Sequence, residues 1–198
     1  MIQSLTSFTV TAHYGRDDTT FDVRSGDGSG PVARAHKASA FDSRAPYQVL
    51  VGPQLDQPAG FVNAFGAWTT ERTKIGTVTS ERRLLGRKRW QVNQHDLPSL
   101  TGEPIGASAV RYRFPFSLVL TNTAADNVLP FKLTFIAPGS DGFVVARSAG
   151  VRARFTVTVR DPRLDRRVLL ACVIALSLYE SADLRQQVAD FTANPFKE

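Results

Sequence analysis

The residues best equipped for chemistry lie in one short stretch, "SERRLLGRKRW", from Ser80 to Trp90. Arg82, Arg83, Arg87, Lys88 and Arg89 crowd around a turn, with Leu84 and Leu85 at its apex and Trp90 beside it. Basic side chains attract anionic headgroups, while exposed leucines and an interfacial tryptophan can enter the acyl boundary of a bilayer. The five basic residues are therefore the candidate lipid or anion site. The plainer reading of the same residues is a solvated edge, with Leu84 and Leu85 tucked beneath a neighbouring loop. A nucleic-acid role has less behind it, because no helix is placed to enter a groove and no stacking series of aromatics accompanies the charges.

The other reactive side chains form no motif. His13, His36 and His95 lie far apart, and none has metal-ligand spacing with another histidine or with the one cysteine, Cys172. Cys172 has no adjacent histidine or lysine to activate it and reads as a small core residue. "SGDGSGP" (25–31) lacks the Gly-Lys-Ser/Thr ending of a phosphate loop and opens no helix, so it reads as a hairpin turn. Asp17 and Asp18 read as a solvated turn. No catalytic residue, metal ligand or cofactor is assigned, and the chain is expected not to be an enzyme.

Composition frames these residues. The chain has 198 residues, 42% of them apolar and 21% charged, as in soluble globular proteins. Its net charge of +6 favours acidic partners. The bias is carried by 19 Arg against 5 Lys in an Ala-rich chain, which also fits the coding habit of a GC-rich bacterial genome. "MIQSLTSFTV" has neither a basic region nor an apolar core of a secretory signal. A single cysteine fits a reducing compartment. The expected location is the cytoplasm, peripheral at a membrane if the basic hairpin engages lipid.

The elements that must position these residues are mostly strands. Period-two alternation runs through "SFTVTAHY", "AVRYRFPFSLVL" and "VRARFTVTVR", with Pro115 marking an edge, bulge or break in the second. "SGDGSGP", "GPQLDQPAG" and "APGSDG" read as turns between such runs, and "KIGTVTSERRLLGRKRWQV" as a fourth hairpin with a basic tip. The pattern predicts eleven or twelve strands in one domain, with "NQHDLPSLTGEPIGAS" the longest irregular stretch.

One segment breaks the β pattern. After Asp161 and Pro162, a good helix start, Val168 to Tyr179 is apolar on every helical face. Twelve residues at ~1.5 Å each span about 18 Å, too short for a ~30 Å hydrocarbon core. The helix must be buried in protein, and strands are the other elements available. A β-barrel closed around a central helix satisfies both demands, with Ala171 and Ala175 allowing close approach to the wall.

The stretches "FDVRSGDGSGPVARA", "IGTVTSERRLLGRKRWQV" and "VRARFTVTVRDPRLDRRVLLACVIALSLYE", in this order, resemble the tubby C-terminal superfamily, nearest to LURP-one-related and phospholipid-scramblase-like proteins. The resemblance implies a twelve-stranded barrel threaded by the C-terminal helix, over a single domain 1–198 with its core at 7–182 and a tail at 183–198. Function within the superfamily varies: tubby proteins bind phosphoinositides through basic side chains, and scramblase-like members are linked to calcium and lipid movement. The calcium-binding strand that the scramblase resemblance implies is here "VRARFTVTVRDP", with Arg152, Arg154 and Arg160 where carboxylates would be needed. The expectation is a non-catalytic binding or scaffold domain that recognises anionic lipid headgroups. A ligand-storage barrel, a protein-interaction module and an unrecognised enzyme are the alternatives.

Overall fold

The computed structural model describes residues 2–26, 30–38, 46–82, 88–106, 108, 130–149 and 154–178, without the side chains of Arg82 and Lys88. Alternating apolar and polar residues form strands wherever one face can be buried. Twelve strands are found among these residues: β1 (Ser7–Tyr14), β2 (Thr19–Ser25), β3 (Pro31–Lys37), β4 (Tyr47–Val51), β5 (Gln57–Asn63), β6 (Gly66–Trp68), β7 (Lys74–Arg82), β8 (Lys88–Gln94), β9 (Leu100–Pro104), β10 (Phe131–Ala137), β11 (Ser140–Arg147) and β12 (Arg154–Val159). A 3-10 turn, Ile2–Ser4, precedes them, and a helix, α1, covers 166–178.

Each strand pairs antiparallel with its sequence neighbours, and β1 pairs with β12 from Ser7↔Thr158 to Thr11↔Arg154. That last ladder closes an up-and-down barrel, in which each of the twelve strands has a paired neighbour on both sides. One face of every pleat supplies the core. Phe8, Val10, Phe21, Val23, Ala33, Ala35, Val49, Val62, Phe135, Phe143, Phe155 and Val157 are fully buried, and Val168 to Ile174 of α1 belong to the same apolar cluster. Two glycines make room on this face. A side chain at Gly76 would come within 2.9 Å of Val168, and one at Gly102 within 2.7 Å of the Phe135 ring.

Contacts at the two ends of α1 orient it along β1. The Arg166 guanidinium donates to the Leu5 carbonyl just before β1, and Ser177 meets the Tyr14 hydroxyl at the end of β1, 2.6 Å away. The barrel therefore has an entry end, where α1 begins, and a far end. Alternating strand directions put the β4–β5, β6–β7, β8–β9 and β10–β11 connections at the entry end, together with the end of β2 and the start of β3. The β1–β2 and β5–β6 connections fall at the far end, together with the end of β7 and the start of β8.

Three expectations are corrected. The stretch read as irregular at 93–108 contains β9, whose Gly102 and Pro104 masked its strand character. β5 begins at Gln57, inside the segment read as a turn. The helix begins after Asp165 rather than after Asp161: the Asp165 carboxylate accepts the Arg167 N–H at 2.9 Å, the N-cap bond. Asp161 instead accepts the Arg163 N–H at 3.0 Å and caps the turn that precedes the helix. The strand expected in "AVRYRFPFSLVL" and the tail at 183–198 lie outside the described residues.

Candidate functional site

A dense polar cluster lies at the entry end, and it grows from "DPRLDRR" (161–167). Asp161 and Asp165 repeat one device: each carboxylate caps the N–H two residues on and receives the guanidinium of that same residue. Arg163 reaches Asp161 through Nε at 2.9 Å and Nη2 at 2.6 Å; Arg167 reaches Asp165 at 3.0 and 2.6 Å. The arginines then extend to the barrel wall. Arg163 donates to the Gly139 carbonyl at 2.8 Å and Arg167 to that of Ala59 at 2.7 Å. Buried Arg166 donates to the carbonyls of Leu5, Pro162 and Leu164. Gln94 of β8 holds Asp165 N–H and the Arg163 carbonyl, while Gln3 holds Asp165 and Arg166 N–H.

The electrostatics match this geometry. Hydrogen bonding from Arg163 holds the Asp161 carboxyl well below the usual range, against the opposing effect of burial and with help from Ser140. Burial pushes the Asp165 carboxyl up, but the bonds from Arg167 and Gln3 outweigh it and leave a lowered value. Ser140 Oγ lies 2.5 Å from Asp161 Oδ2 and so resembles half of a nucleophile–base pair. The Ser140 hydroxyl bonds the carboxylate directly, and among the described residues no histidine is placed between the two as in a Ser-His-Asp relay. A dent of about 370 Å³ opens beside them, lined by Gly139, Ser140, Asp141, Asp161, Pro162 and Arg163. The Asp161 oxygens are all occupied by protein donors, so this cluster fastens α1 to the wall.

Of the basic residues singled out from the sequence, Arg82, Lys88 and Arg89 are described, on the rungs of β7 and β8 nearest the far end. Arg82 opposes Lys88 on the last rung of the β7–β8 ladder. Arg83, Leu84, Leu85 and Arg87 lie outside the described residues, as do the side chains of Arg82 and Lys88. Arg89 opposes Glu81 and donates to Thr101 Oγ1 at 3.3 Å, on the outer wall. Trp90 is a correction. It shares the inward face of β8 with Val92 and packs half-buried against the core, so the pleat denies it an interfacial position.

Sequence reasoning missed other residues at this end. Phe65, 59% exposed, tips the β5–β6 turn. Its N–H donates to Asn63 Oδ1 at 2.8 Å and its carbonyl accepts from Val78 N–H at 3.0 Å, which pins the turn against β7. Tyr14 is 53% exposed. Buried Lys37 places its ammonium 4.7 Å from the centre of the Tyr47 ring, a cation–π contact. Burial, the neighbouring Tyr14 and a countering bond with Thr19 leave the Tyr47 hydroxyl pushed up to about 12.

The histidines are closer in space than in sequence. His13 and His36 flank Thr20 across β1, β2 and β3. Their carboxylate neighbours are separate, Asp22 at 3.6 Å from His13 and Asp18 at 3.9 Å from His36. Among the described residues no group of three or more His, Cys, Asp or Glu side chains is arranged to hold a metal ion. Cys172 is fully buried, and burial drives its thiol far above the ordinary value, against reactivity. No helix among the described residues is long and apolar enough to cross a membrane. No family model matches the chain, and neither a curated protein nor a solved structure matches it.

Proposed function

We propose that the chain is a non-catalytic binding domain of the tubby and LURP-one type, in which α1 threads the barrel and the far end recognises anionic lipid headgroups. The central placement of α1 is supported by its contacts around the ring, with Leu5 before β1, Ala59 of β5 and Gly76 of β7, and by the bond of its Asp165 cap to Gln94 of β8. A lumen occupied by a helix leaves little room for a stored ligand. The protein works in the cytoplasm, peripheral to the membrane. The observation that carries the lipid reading is exposed Phe65, pinned to β7 at the end where the sequence places Arg82, Arg83, Arg87 and Lys88. An aromatic ring beside basic groups suits a headgroup layer, where the charges meet phosphate and the ring meets the acyl boundary.

Vesicle co-sedimentation tests this reading. Purified protein should bind vesicles containing phosphatidylserine and ignore pure phosphatidylcholine. Each engaged basic residue contributes about 1 kcal/mol near such a surface, so changing Arg82, Arg83, Arg87 and Lys88 to Ser should weaken binding roughly a thousandfold. Added salt should weaken it too. Replacing Leu84 and Leu85 with Ser separates insertion from attraction at constant charge. A wild type with no preference for anionic vesicles would sink the lipid reading and leave a partner protein as the occupant of this end.

A further inference from the structure

A second basic surface lies on the barrel wall, away from the far-end hairpin. Lys132 (β10), Ala146 (β11), Thr156 (β12), Thr9 (β1) and Arg24 (β2) form one row, each opposite the next across a ladder. Arg154 stands two residues from Thr156 on β12, opposite Thr11. The alternate residues Phe8, Val10, Val23, Phe155 and Val157 are fully buried, so the pleat turns the row outward. Lys132, Arg24 and Arg154 are exposed, and their side chains have no ion-pair or hydrogen-bond partner among the described residues. Asp22, the carboxylate two residues from Arg24, is already engaged by Arg34 at 2.7 Å.

Three cations, unpaired among the described residues, thus surround one cross-strand pair of threonine hydroxyls. With strands about 4.8 Å apart and a rise of about 3.4 Å per residue, the backbones of Arg24 and Arg154 lie about 5 and 7 Å from that pair, and Lys132 about 10 Å from Thr156. Between Lys132 and the threonines stands Ala146, which leaves the space above it open to a long side chain. We propose that this triangle binds a phosphate monoester group. Two guanidinium forks and an ammonium converge on a tetrahedral oxyanion from three directions, and the hydroxyls of Thr9 and Thr156 donate from beneath it. The site does not depend on the hairpin. Its ligand is either a soluble phosphorylated molecule or a phosphorylated lipid headgroup, which share this chemistry.

Inorganic phosphate is the probe, compared with chloride at equal ionic strength. Phosphate should raise the melting temperature in a saturable way, since a ligand of the native state alone stabilises it, and calorimetry should give a matching affinity. Arg24→Gln with Arg154→Gln should weaken that affinity at least tenfold, about 1.4 kcal/mol. Thr9→Val with Thr156→Val keeps β-branched side chains in the sheet and should weaken it by a smaller factor. Changing Arg82, Arg83, Arg87 and Lys88 to Ser should leave phosphate affinity unaltered even where vesicle binding is lost. Vesicles bearing a monophosphorylated inositol lipid that phosphate displaces would identify a membrane source; vesicles that do not compete would identify a soluble one. A stabilisation no greater than that of chloride, or an arginine double variant with wild-type affinity, overturns the proposal.

Discussion

Asp161 and Asp165 show how two carboxylates in one short segment can fasten a helix to a sheet. Asp161 is 4% exposed, yet it stays charged because Arg163 and Ser140 supply what water would have supplied. Since its folded value is depressed, its contribution to stability is complete above the unfolded carboxylate value, about pH 4, and is lost as pH falls toward the folded value. Asp161→Asn should cost about 1.5–3 kcal/mol at neutral pH, the range for a hydrogen bond to a charged group, and should flatten the acid limb of stability against pH. Urea denaturation at pH 7 and pH 3 measures both effects. A variant that loses as much stability on acidification as the wild type would move the acid sensitivity elsewhere. Both acids are visible in the sequence, and Asp161 before Pro162 does begin a capped turn. The handover of the helix cap to Asp165 depends on Gln3 and Gln94, more than seventy residues away in one case and far earlier in the chain in the other.

At the scale of elements, α1 answers the oddity of an all-round apolar segment in a chain of strands. Val168 to Ile174 have no exposed surface, so a charge introduced there has nowhere to be solvated. Val173→Asp should abolish the cooperative unfolding transition in calorimetry, because the cost of an unpaired buried charge rivals the whole stability of a domain. Ile174→Val, which removes one methylene, should cost only about 0.5–1.5 kcal/mol and keep the transition. A soluble Val173→Asp protein of unchanged stability would show that α1 is not part of the core. β9 illustrates the opposite case, an element hidden by its own composition. Gly102 weakens the alternation because the Phe135 ring occupies the space its side chain would need, and that ring comes from β10.

For the whole molecule, closure is what matters. β1 and β12 are separated by most of the chain, and their ladder couples the first strand to the last. Unfolding should therefore be one transition, with far-UV circular dichroism and the fluorescence of Trp68 and Trp90 coinciding. Separate midpoints would reveal a barrel made of independent parts. So many neighbour-paired strands with one distant closing ladder also predict slower folding than in helical proteins of similar length.

The local pattern of the sequence determined a great deal. Period-two alternation in "SFTVTAHY" and "VRARFTVTVR" placed strands and their buried faces, the second described from Arg154 on, and an apolar segment too short for a bilayer placed a helix inside protein. Those inferences work because burial acts on each pleat and each helical face through nearest neighbours along the chain. Tertiary structure decided what no local pattern records: that β12 meets β1, that Trp90 turns inward, that Phe65 stands beside β7, and that Lys132, Arg24 and Arg154 gather around two threonines. Each of these depends on the register of strands distant in sequence, and a shift of one residue would send every side chain to the opposite face.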